Sequence, residues 1–197
     1  MRKTIVVSLV LLLIIVAGAA WPFTALYDIA MKAEAGDAAA LNERIDLLAF
    51  RRSLTGQLIR TYIRLSGVKV NPGGIAAGVA GSIVDPIVEK LMTPQLLANM
   101  LRTGWPSTVL PERPAGFEGL SAVNAGNFWA LFASSNYGIS GFSVSVPPDA
   151  PVARQFRVYL SLSKQGWKLS GLDMPEDIQV KLVEQLIGQR APGAGTR

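Results

Sequence analysis

The sequence predicts an α+β protein: an N-terminal transmembrane or signal helix, then helices packed on one face of a curved antiparallel sheet. Two observations carry this prediction. Apolar residues recur at helical spacing through the first half of the chain, and from residue 142 they alternate with polar residues as in strands. Helices that precede strands in this way are typical of α+β domains, in which amphipathic helices cover the apolar face of the sheet.

The apolar N-terminus, residues 1–23, is predicted to be a signal-anchor or transmembrane segment. Arg2 and Lys3 precede a long run without charge. Residues 4–23 supply the roughly 20 residues that a helix needs to cross a bilayer. Pro22 is expected to mark the exit from the membrane. The side chains predicted to contact the membrane are those of Ile5, Leu11, Ile15 and Trp21.

Two fates of this segment stay open. It either remains as a single-pass anchor in the inner (cytoplasmic) membrane, or it is a signal peptide removed near Ala19-Ala20, which releases the domain into the periplasm. The basic N-terminus predicts the same orientation in both cases. The N-terminus lies in the cytoplasm and the domain lies outside, which in a Gram-negative cell is the periplasm.

Composition excludes several classes of function. The chain of 197 residues contains neither Cys nor His, so disulfides, thiol nucleophiles, Cys/His zinc sites and Ser-His-Asp triads are impossible. No catalytic motif is present, no catalytic residue is assigned, and neither a cofactor nor a metal is expected. The net charge of +5 comes from scattered bases and acids, which does not predict a nucleic-acid surface.

The domain beyond the membrane is predicted to span residues 24–188 and to begin with helices. Gly36 ends the first of these. Asp37 and Asp46 are expected to cap the next two, because a carboxylate accepts the unpaired N–H groups of a first helical turn. A Pro- and Gly-rich connector follows at 104–119. Helices are predicted at 24–35, 38–45, 47–65, 74–92 and 95–103.

The last third of the chain is predicted to form the sheet. A hairpin turn at 164–166 joins the last two strands, and residues 127–134 could form a further strand. An amphipathic helix over 176–188 closes the domain, and residues 189–197 are expected to be a disordered tail. Strands are predicted at 142–146, 156–163 and 167–170.

Four residues are candidates for ligand binding. Arg51 stands five residues after Asp46, so the two do not share a helix face, and Arg51 is free to bind either a carboxylate elsewhere in the domain or an anionic ligand. The other three are aromatic and, together with Tyr137, could either line a pocket or pack in the core: Trp129, Tyr159 and Trp167.

Two helical surfaces offer further interactions. The arginines Arg52, Arg60 and Arg64, with Lys69 beyond them, could face anionic lipid near the anchor or form a solvated helix face. Small residues at Gly74, Gly78 and Ser82 would let another backbone approach closely, either within the domain or in self-association.

The chain also contains a series of short motifs between residues 21 and 175. In combination and order they resemble a bacterial membrane-anchored family called domain of unknown function 2939. The resemblance implies membrane anchoring and carries over no activity or functional residue. Its motifs are Trp21-Pro22-Phe23, Ala25-Leu26-Tyr27, Gly36-Asp37, Leu41, Ile45-Asp46-Leu47, Arg51, Ser53-Leu54, Gln57-Leu58, Thr93-Pro94, Trp167-Lys168-Leu169, Leu172 and Pro175.

A more distant resemblance concerns the fold. Two helices joined at Gly36-Asp37, followed by a curved sheet, resemble the nuclear transport factor 2-like, or cystatin-like, cone. This resemblance implies helices wrapped around a bent sheet, with an apolar pocket between them.

These observations predict a membrane-tethered extracytoplasmic domain that binds a protein partner or an apolar ligand and is not an enzyme. An enzyme that uses carboxylates in a cone-shaped pocket is one alternative. A self-associating structural factor of the cell envelope is the other. The sequence does not predict the oligomeric state.

Overall fold

A computed structural model describes residues 2–67, 75–115, 117–139 and 141–190. Within these ranges the predicted α+β class is confirmed. The helices are α1 (Arg2–Glu34), α2 (Ala38–Glu43), α3 (Leu47–Ser66), α4 (Ile75–Leu91), α5 (Pro94–Thr103), α6 (Phe128–Ala133) and α7 (Glu176–Arg190). The strands are β1 (Ser135–Tyr137), β2 (Gly141–Val146), β3 (Phe156–Ser163) and β4 (Gly166–Asp173).

The four strands form one open antiparallel sheet in the order β1-β2-β3-β4. Val144 pairs with Val158, which pairs with Leu172, so these side chains share one face of the sheet. That face is buried and joins the apolar side chains of the helices in one core. Ser143 and Ser145, on the opposite face of β2, are buried as well.

Helix α3 covers the outer edge of β4 and satisfies its backbone. The Asp46 N–H donates to the Leu169 carbonyl at 2.8 Å. Further along, the buried Gln57 amide donates to the Leu172 carbonyl at 2.7 Å and accepts the Met174 N–H at 2.9 Å. An exposed edge would invite pairing with another chain, and these contacts close it.

The close approach of α3 to β4 favours a glycine at position 171. A Cβ at Gly171 would lie 3.0 Å from the Ser53 Oγ and 3.2 Å from the Ser53 Cβ. The Ser53 hydroxyl oxygen in turn accepts the Leu172 N–H at 3.3 Å. The small residue on each side therefore lets a helix lie directly against a strand edge.

The predicted helix ends around residue 36 are confirmed. Gly36 adopts a left-handed conformation with φ of 67°, which glycine reaches without steric cost. The Asp37 carboxylate accepts the Ala40 N–H at 2.9 Å, and the Asp46 carboxylate accepts the Ala49 N–H at 3.0 Å. Both carboxylates therefore act as N-caps, as their positions in the sequence indicate.

The connector at 104–119 has no regular secondary structure along its described length, and its two ends pack closely against each other. Gly104, with φ of 70°, ends α5, and a Cβ on Gly119 would overlap the backbone of Gly104. Trp105 is fully buried, and its indole N–H donates to the Leu110 carbonyl at 2.6 Å. The long loop is thus held against the core.

One sequence prediction about an element is wrong. Within residues 127–134 the chain forms a helix, α6, and not a strand; the strand that precedes β2 is the short β1. Pro22 lies inside α1, which continues to Glu34, so the predicted segment 1–23 and the predicted helix 24–35 form one helix. Proline has no backbone N–H, and packing against neighbouring elements lets a helix tolerate the hydrogen bond that is lost there.

The remaining predicted elements are either confirmed or lie outside the described residues. The remaining strands and the C-terminal helix are confirmed, and α7 extends to Arg190. Lys69 and Gly74, two of the residues singled out in the sequence, lie outside the described residues. Residues 191–197 of the predicted tail also lie outside them.

Replacing the amide that bridges α3 and β4 is expected to destabilise the domain. Gln57→Leu leaves a buried carbonyl and a buried N–H unpaired, at a cost of about 1–3 kcal/mol each. Denaturant unfolding of the full chain in mild detergent measures the loss. Gln95→Leu, the same change at an exposed position, is the control and should change stability by less than about 0.5 kcal/mol. Equal stability of the two variants would contradict the role of Gln57.

Candidate functional site

Helix α1 has two halves with different surroundings. From Ile5 to Val16 its large apolar side chains are exposed, whereas Phe23, Leu26 and Ile29 are buried in the domain. Among the described residues, α1 is the one helix long and apolar enough to cross a membrane, with a mean hydropathy of 2.7 in its most apolar window. It can therefore be a membrane anchor or a signal sequence.

Phe23 is the centre of an aromatic cluster at the boundary between these halves. Its ring centroid lies 4.9 Å from that of Phe142 on β2 and 5.3 Å from that of Phe128 on α6. Phe132 and Tyr137 lie 6.0 and 6.3 Å away. Most of these pairs meet edge to face, the geometry that aromatic rings prefer. The cluster joins α1 to α6 and the sheet.

The position of α6 is set by a local capping arrangement. The Asn124 side chain accepts the N–H groups of Gly126 and Asn127, and the Asn127 side chain accepts the Asn124 N–H. This reciprocal pairing starts a helix immediately before Phe128. The turn then carries its aromatic residues to the buried half of α1.

A hydrogen bond joins the sheet to α1 just before the residues of α1 that are buried in the domain. The Tyr137 hydroxyl, at the end of β1, donates to the Ala19 carbonyl at 2.6 Å. Partial burial raises the pKa of Tyr137 above its usual value, so the hydroxyl remains a donor at neutral pH. The end of β1 is thereby held at the level of Ala19.

An apolar cavity of about 330 Å³ lies between α1 and α6. Four buried apolar residues form its walls: Phe23, Leu26, Val123 and Leu131. Four exposed residues form its rim, together with the Phe128 ring: Ala20, Thr24, Tyr27 and Asn124. None of these described lining residues is charged.

A wider, more polar cleft of about 620 Å³ lies on another side of α1. Trp21 and Asp28 of α1 face the β3–β4 hairpin across it, where Lys164 and Trp167 lie. The Arg44 Nε lies 2.9 Å from an Asp28 carboxylate oxygen, and Lys32 contacts the same carboxylate. The charges on this side of α1 are therefore largely paired within the domain.

Two further cavities do not include α1 among their described lining residues. One, of about 460 Å³, lies between α4, α5 and α7 and is lined by Ile87, Leu96 and Leu186. The other, of about 360 Å³, is polar and contains Asp173 and Glu176. Among the described residues there is no group of three His, Cys, Asp or Glu side chains that could hold a metal ion.

The four predicted ligand-binding residues do not form one site. Arg51 lies on the surface, with its Nη2 3.4 Å from an Asp85 carboxylate oxygen of α4. The Tyr159 hydroxyl donates to Asp173 at 2.6 Å; burial, followed by that hydrogen bond, raises the pKa of Tyr159. Arg51 and Tyr159 therefore each contact a carboxylate of the domain itself. For Arg51 this is the alternative in which it binds a carboxylate elsewhere in the domain.

The two tryptophans belong to the aromatic cluster instead. Trp167 is buried, and its ring centroid lies 6.5 Å from that of Phe142. Trp129 is 78% exposed, which excludes core packing for it, and its ring meets that of Phe128 edge to face with the centroids 5.5 Å apart. Ile5, Leu11, Ile15 and Trp21, the predicted membrane contacts, are all exposed on α1.

Arg64, in the last turn of α3, lies near the end of β4 that is remote from the β3–β4 turn. The Arg64 Nη1 lies 2.5 Å from a carboxylate oxygen of Glu176, which follows the end of β4. Lipid contact by Arg64 near the anchor is therefore not supported. Gly78, of the predicted small-residue ridge, is exposed on α4, and nothing lies within 4 Å of where its Cβ would be.

Sequence reasoning missed Phe23, Phe128 and Phe132 as members of one cluster. Phe128 and Phe132 stand four residues apart, which is helical spacing, and Asn124 ahead of them is a helix-start signal. Those two signals could have identified α6. The contact between Tyr137 and Ala19 joins residues 118 apart in the chain, and no local pattern predicts it.

Comparison with protein families gives one match. The family described as "Protein of unknown function (DUF2939)" matches residues 11–100. This match supports the resemblance to which the motifs point, over that segment of the chain. The matched segment runs from within α1 into α5, whereas the motifs after residue 100 lie outside it.

The other comparisons found nothing similar: no curated protein and no solved structure matches the chain. The resemblance to the nuclear transport factor 2-like, or cystatin-like, cone therefore stays a prediction. The sheet of this protein is open, with four strands in sequence order.

Removing the ring at the centre of the cluster is expected to destabilise the domain strongly. Phe23→Ala creates a cavity where four rings meet, which typically costs about 3–5 kcal/mol. The free energy of unfolding in detergent measures the effect. Met31→Ala truncates an exposed side chain on the same helix and should cost less than about 1 kcal/mol. A loss for Phe23→Ala no larger than that of the control would refute the central position of Phe23.

Proposed function

We propose that this protein is a membrane-tethered, non-catalytic domain that binds an apolar chain at the membrane surface. The observation that carries the proposal is the apolar cavity beside α1. Its rim includes Ala20, which lies at the end of the uncovered apolar half of the helix. A hydrocarbon chain from the bilayer could therefore reach the cavity without crossing water.

The lining of the cavity suits a hydrocarbon better than a polar ligand. Phe23, Leu26, Val123 and Leu131 offer ring and branched surfaces but no hydrogen-bonding side chains. Burying an apolar chain against them gains about 25 cal/mol per Å². The rim residues Thr24 and Asn124 could contact the polar end of an amphipathic ligand. An acyl chain of a lipid or of a lipidated protein has this chemistry.

The orientation of the domain is also part of the proposal. Arg2 and Lys3 retain the N-terminus in the cytoplasm by the positive-inside rule, and the domain is then outside. The anchor is favoured over cleavage near Ala19-Ala20, because cleavage there would remove or free the helical segment that Tyr137 contacts. Phe23 and Leu26 would remain in the core without the preceding turns of α1.

The cavity beside α1 does not favour the carboxylate-enzyme alternative. That alternative requires an Asp or Glu inside an apolar cavity, and the described lining of the cavity beside α1 contains neither. The polar cavity does contain Asp173 and Glu176, yet Tyr159 donates to the first and Arg64 pairs with the second. Those contacts favour a structural role for both carboxylates.

Filling the cavity from its rim is expected to weaken the binding of an apolar chain. Ala20→Phe places a ring at the mouth without removing a core side chain. The affinity of the full chain for a dansyl-labelled fatty acid, measured by fluorescence titration, should fall by about tenfold or more, equivalent to 1.4 kcal/mol.

Ala17→Phe is the matched control, since it makes the same change on α1 at a position that does not line the cavity. It should bind the probe like the parent protein. Equal affinity of both variants and the parent would contradict the cavity as the binding site. Unfolding midpoints of the variants establish that the domain remains folded.

The orientation can be tested because the chain has no native cysteine. A membrane-impermeant maleimide should label Ala153→Cys in intact spheroplasts, whereas Thr4→Cys should react after lysis alone. The intact mass of the purified protein should include residues 1–20. Labelling of Thr4→Cys in place of Ala153→Cys would reverse the proposed topology, and loss of the first residues would show cleavage.

A further inference from the structure

The two hairpins of the sheet point toward the uncovered half of α1. Gly141 pairs with Ser161, and Ser163 pairs with Gly166, so the β1–β2 and β3–β4 connections lie at the same end of the sheet. Tyr137 contacts Ala19 at this end. The β2–β3 connection is at the opposite end, where Val146 pairs with Phe156.

This end of the domain exposes large apolar side chains. Ile139, next to the β1–β2 turn, is fully exposed at 106%, and Leu162, next to the β3–β4 turn, is 44% exposed. Lys164 is exposed in the β3–β4 turn itself. We call this set the hairpin platform: Trp21, Tyr137, Ile139, Leu162 and Lys164.

The charge distribution agrees with a contact to lipid. Residues 119–148, which include α6, β1 and β2, contain no charged side chain. The β2–β3 connection at the opposite end carries exposed Asp149 and Arg154. Through Phe128, the exposed rings of Trp129 and Phe132 extend the uncharged surface sideways.

The depth of the platform follows from the length of α1. Residues 4–23 in helical form span about 30 Å, the thickness of the hydrocarbon core. Ala19 lies within about one turn of the end of this run, and the Tyr137 hydroxyl is 2.6 Å from its carbonyl. When α1 spans the bilayer, Tyr137 and the neighbouring hairpin ends lie at the level of the headgroups.

We propose that the hairpin platform inserts into the headgroup layer of the membrane that α1 spans, so that the domain rests on the bilayer. Tyr and Trp rings are favoured at this depth, and the Lys164 ammonium can reach lipid phosphates. The surface is continuous with the lipid-facing half of α1, which is why lipid is its occupant and not a second copy of the chain. The proposal rests on the membrane tethering proposed above.

The test measures depth with nitroxide labels on the full chain in liposomes of phosphatidylethanolamine and phosphatidylglycerol. Gln165→Cys reports on the platform, Ala153→Cys on the opposite end and Ile15→Cys on the anchor. For each label, the collision rate with oxygen, which concentrates in lipid, is divided by that with a nickel chelate, which remains in water. We expect a ratio several-fold higher at residue 165 than at residue 153, and the highest ratio at residue 15.

A pair of matched substitutions then tests the platform itself. Ile139→Asp should lower the ratio at residue 165 several-fold, because a carboxylate opposes insertion beside anionic lipid. Val152→Asp makes a similar change at an exposed position in the β2–β3 connection and should leave the ratio unchanged. Equal effects of the two substitutions would overturn the assignment of Ile139 to the contact.

The outcomes separate the platform from the anchor. Equal ratios at residues 165 and 153, with a high ratio at residue 15, would overturn the platform while leaving the tethering intact. A low ratio at residue 15 would overturn the tethering itself. Protection of residue 165 from both probes, with dipolar broadening between labels, would show that a second copy covers this surface and would also overturn the proposal.

Discussion

The structure depends on one helix whose two halves have different surroundings. The first half of α1 exposes its apolar side chains, and the second half buries them in the core from Phe23 onward. A helix can cross this boundary because all of its backbone hydrogen bonds are internal, whichever medium surrounds it. The aromatic cluster around Phe23 and the bond from Tyr137 then place α6 and the sheet at a fixed level on that helix.

The elements that the sequence predicted correctly are those set by local chemistry. Asp37 and Asp46 accept N–H groups three residues ahead, so their roles depend on a few neighbouring residues. Apolar and polar residues alternate in β3 and β4 because one face of each strand is buried, and this pattern is also local. The covering of the β4 edge by α3 could not be foreseen, since it joins Gln57 to Leu172 and Met174 across more than half of the chain.

The candidate site was harder to predict because tertiary contacts create it. Phe128, Trp129 and Ala130 fit a strand by alternation as well as they fit a helix, and the Asn124 cap decides between the two. Trp129 looks like a core residue by composition, yet it is exposed where α6 turns outward. The cavity beside α1 requires Leu26 and Leu131 to meet, although more than a hundred residues separate them in the chain. The sequence did identify Trp21 and Trp167, which both line the neighbouring cleft.

Because α1 continues without a break from Arg2 to Glu34, no flexible joint separates its exposed apolar turns from the turns that are buried in the domain. The exposed half of α1 and the domain are therefore expected to move as one rigid unit. A membrane helix adapts to a thicker or thinner bilayer by tilting. In the tethered arrangement proposed above, any tilt of α1 would turn the whole sheet through the same angle. Insertion or deletion of one residue in the part of α1 that precedes Phe23 would rotate the domain by about 100° around the helix axis, relative to the first turns of α1. The proposed tethering would therefore couple the thickness of the bilayer to the orientation of the sheet.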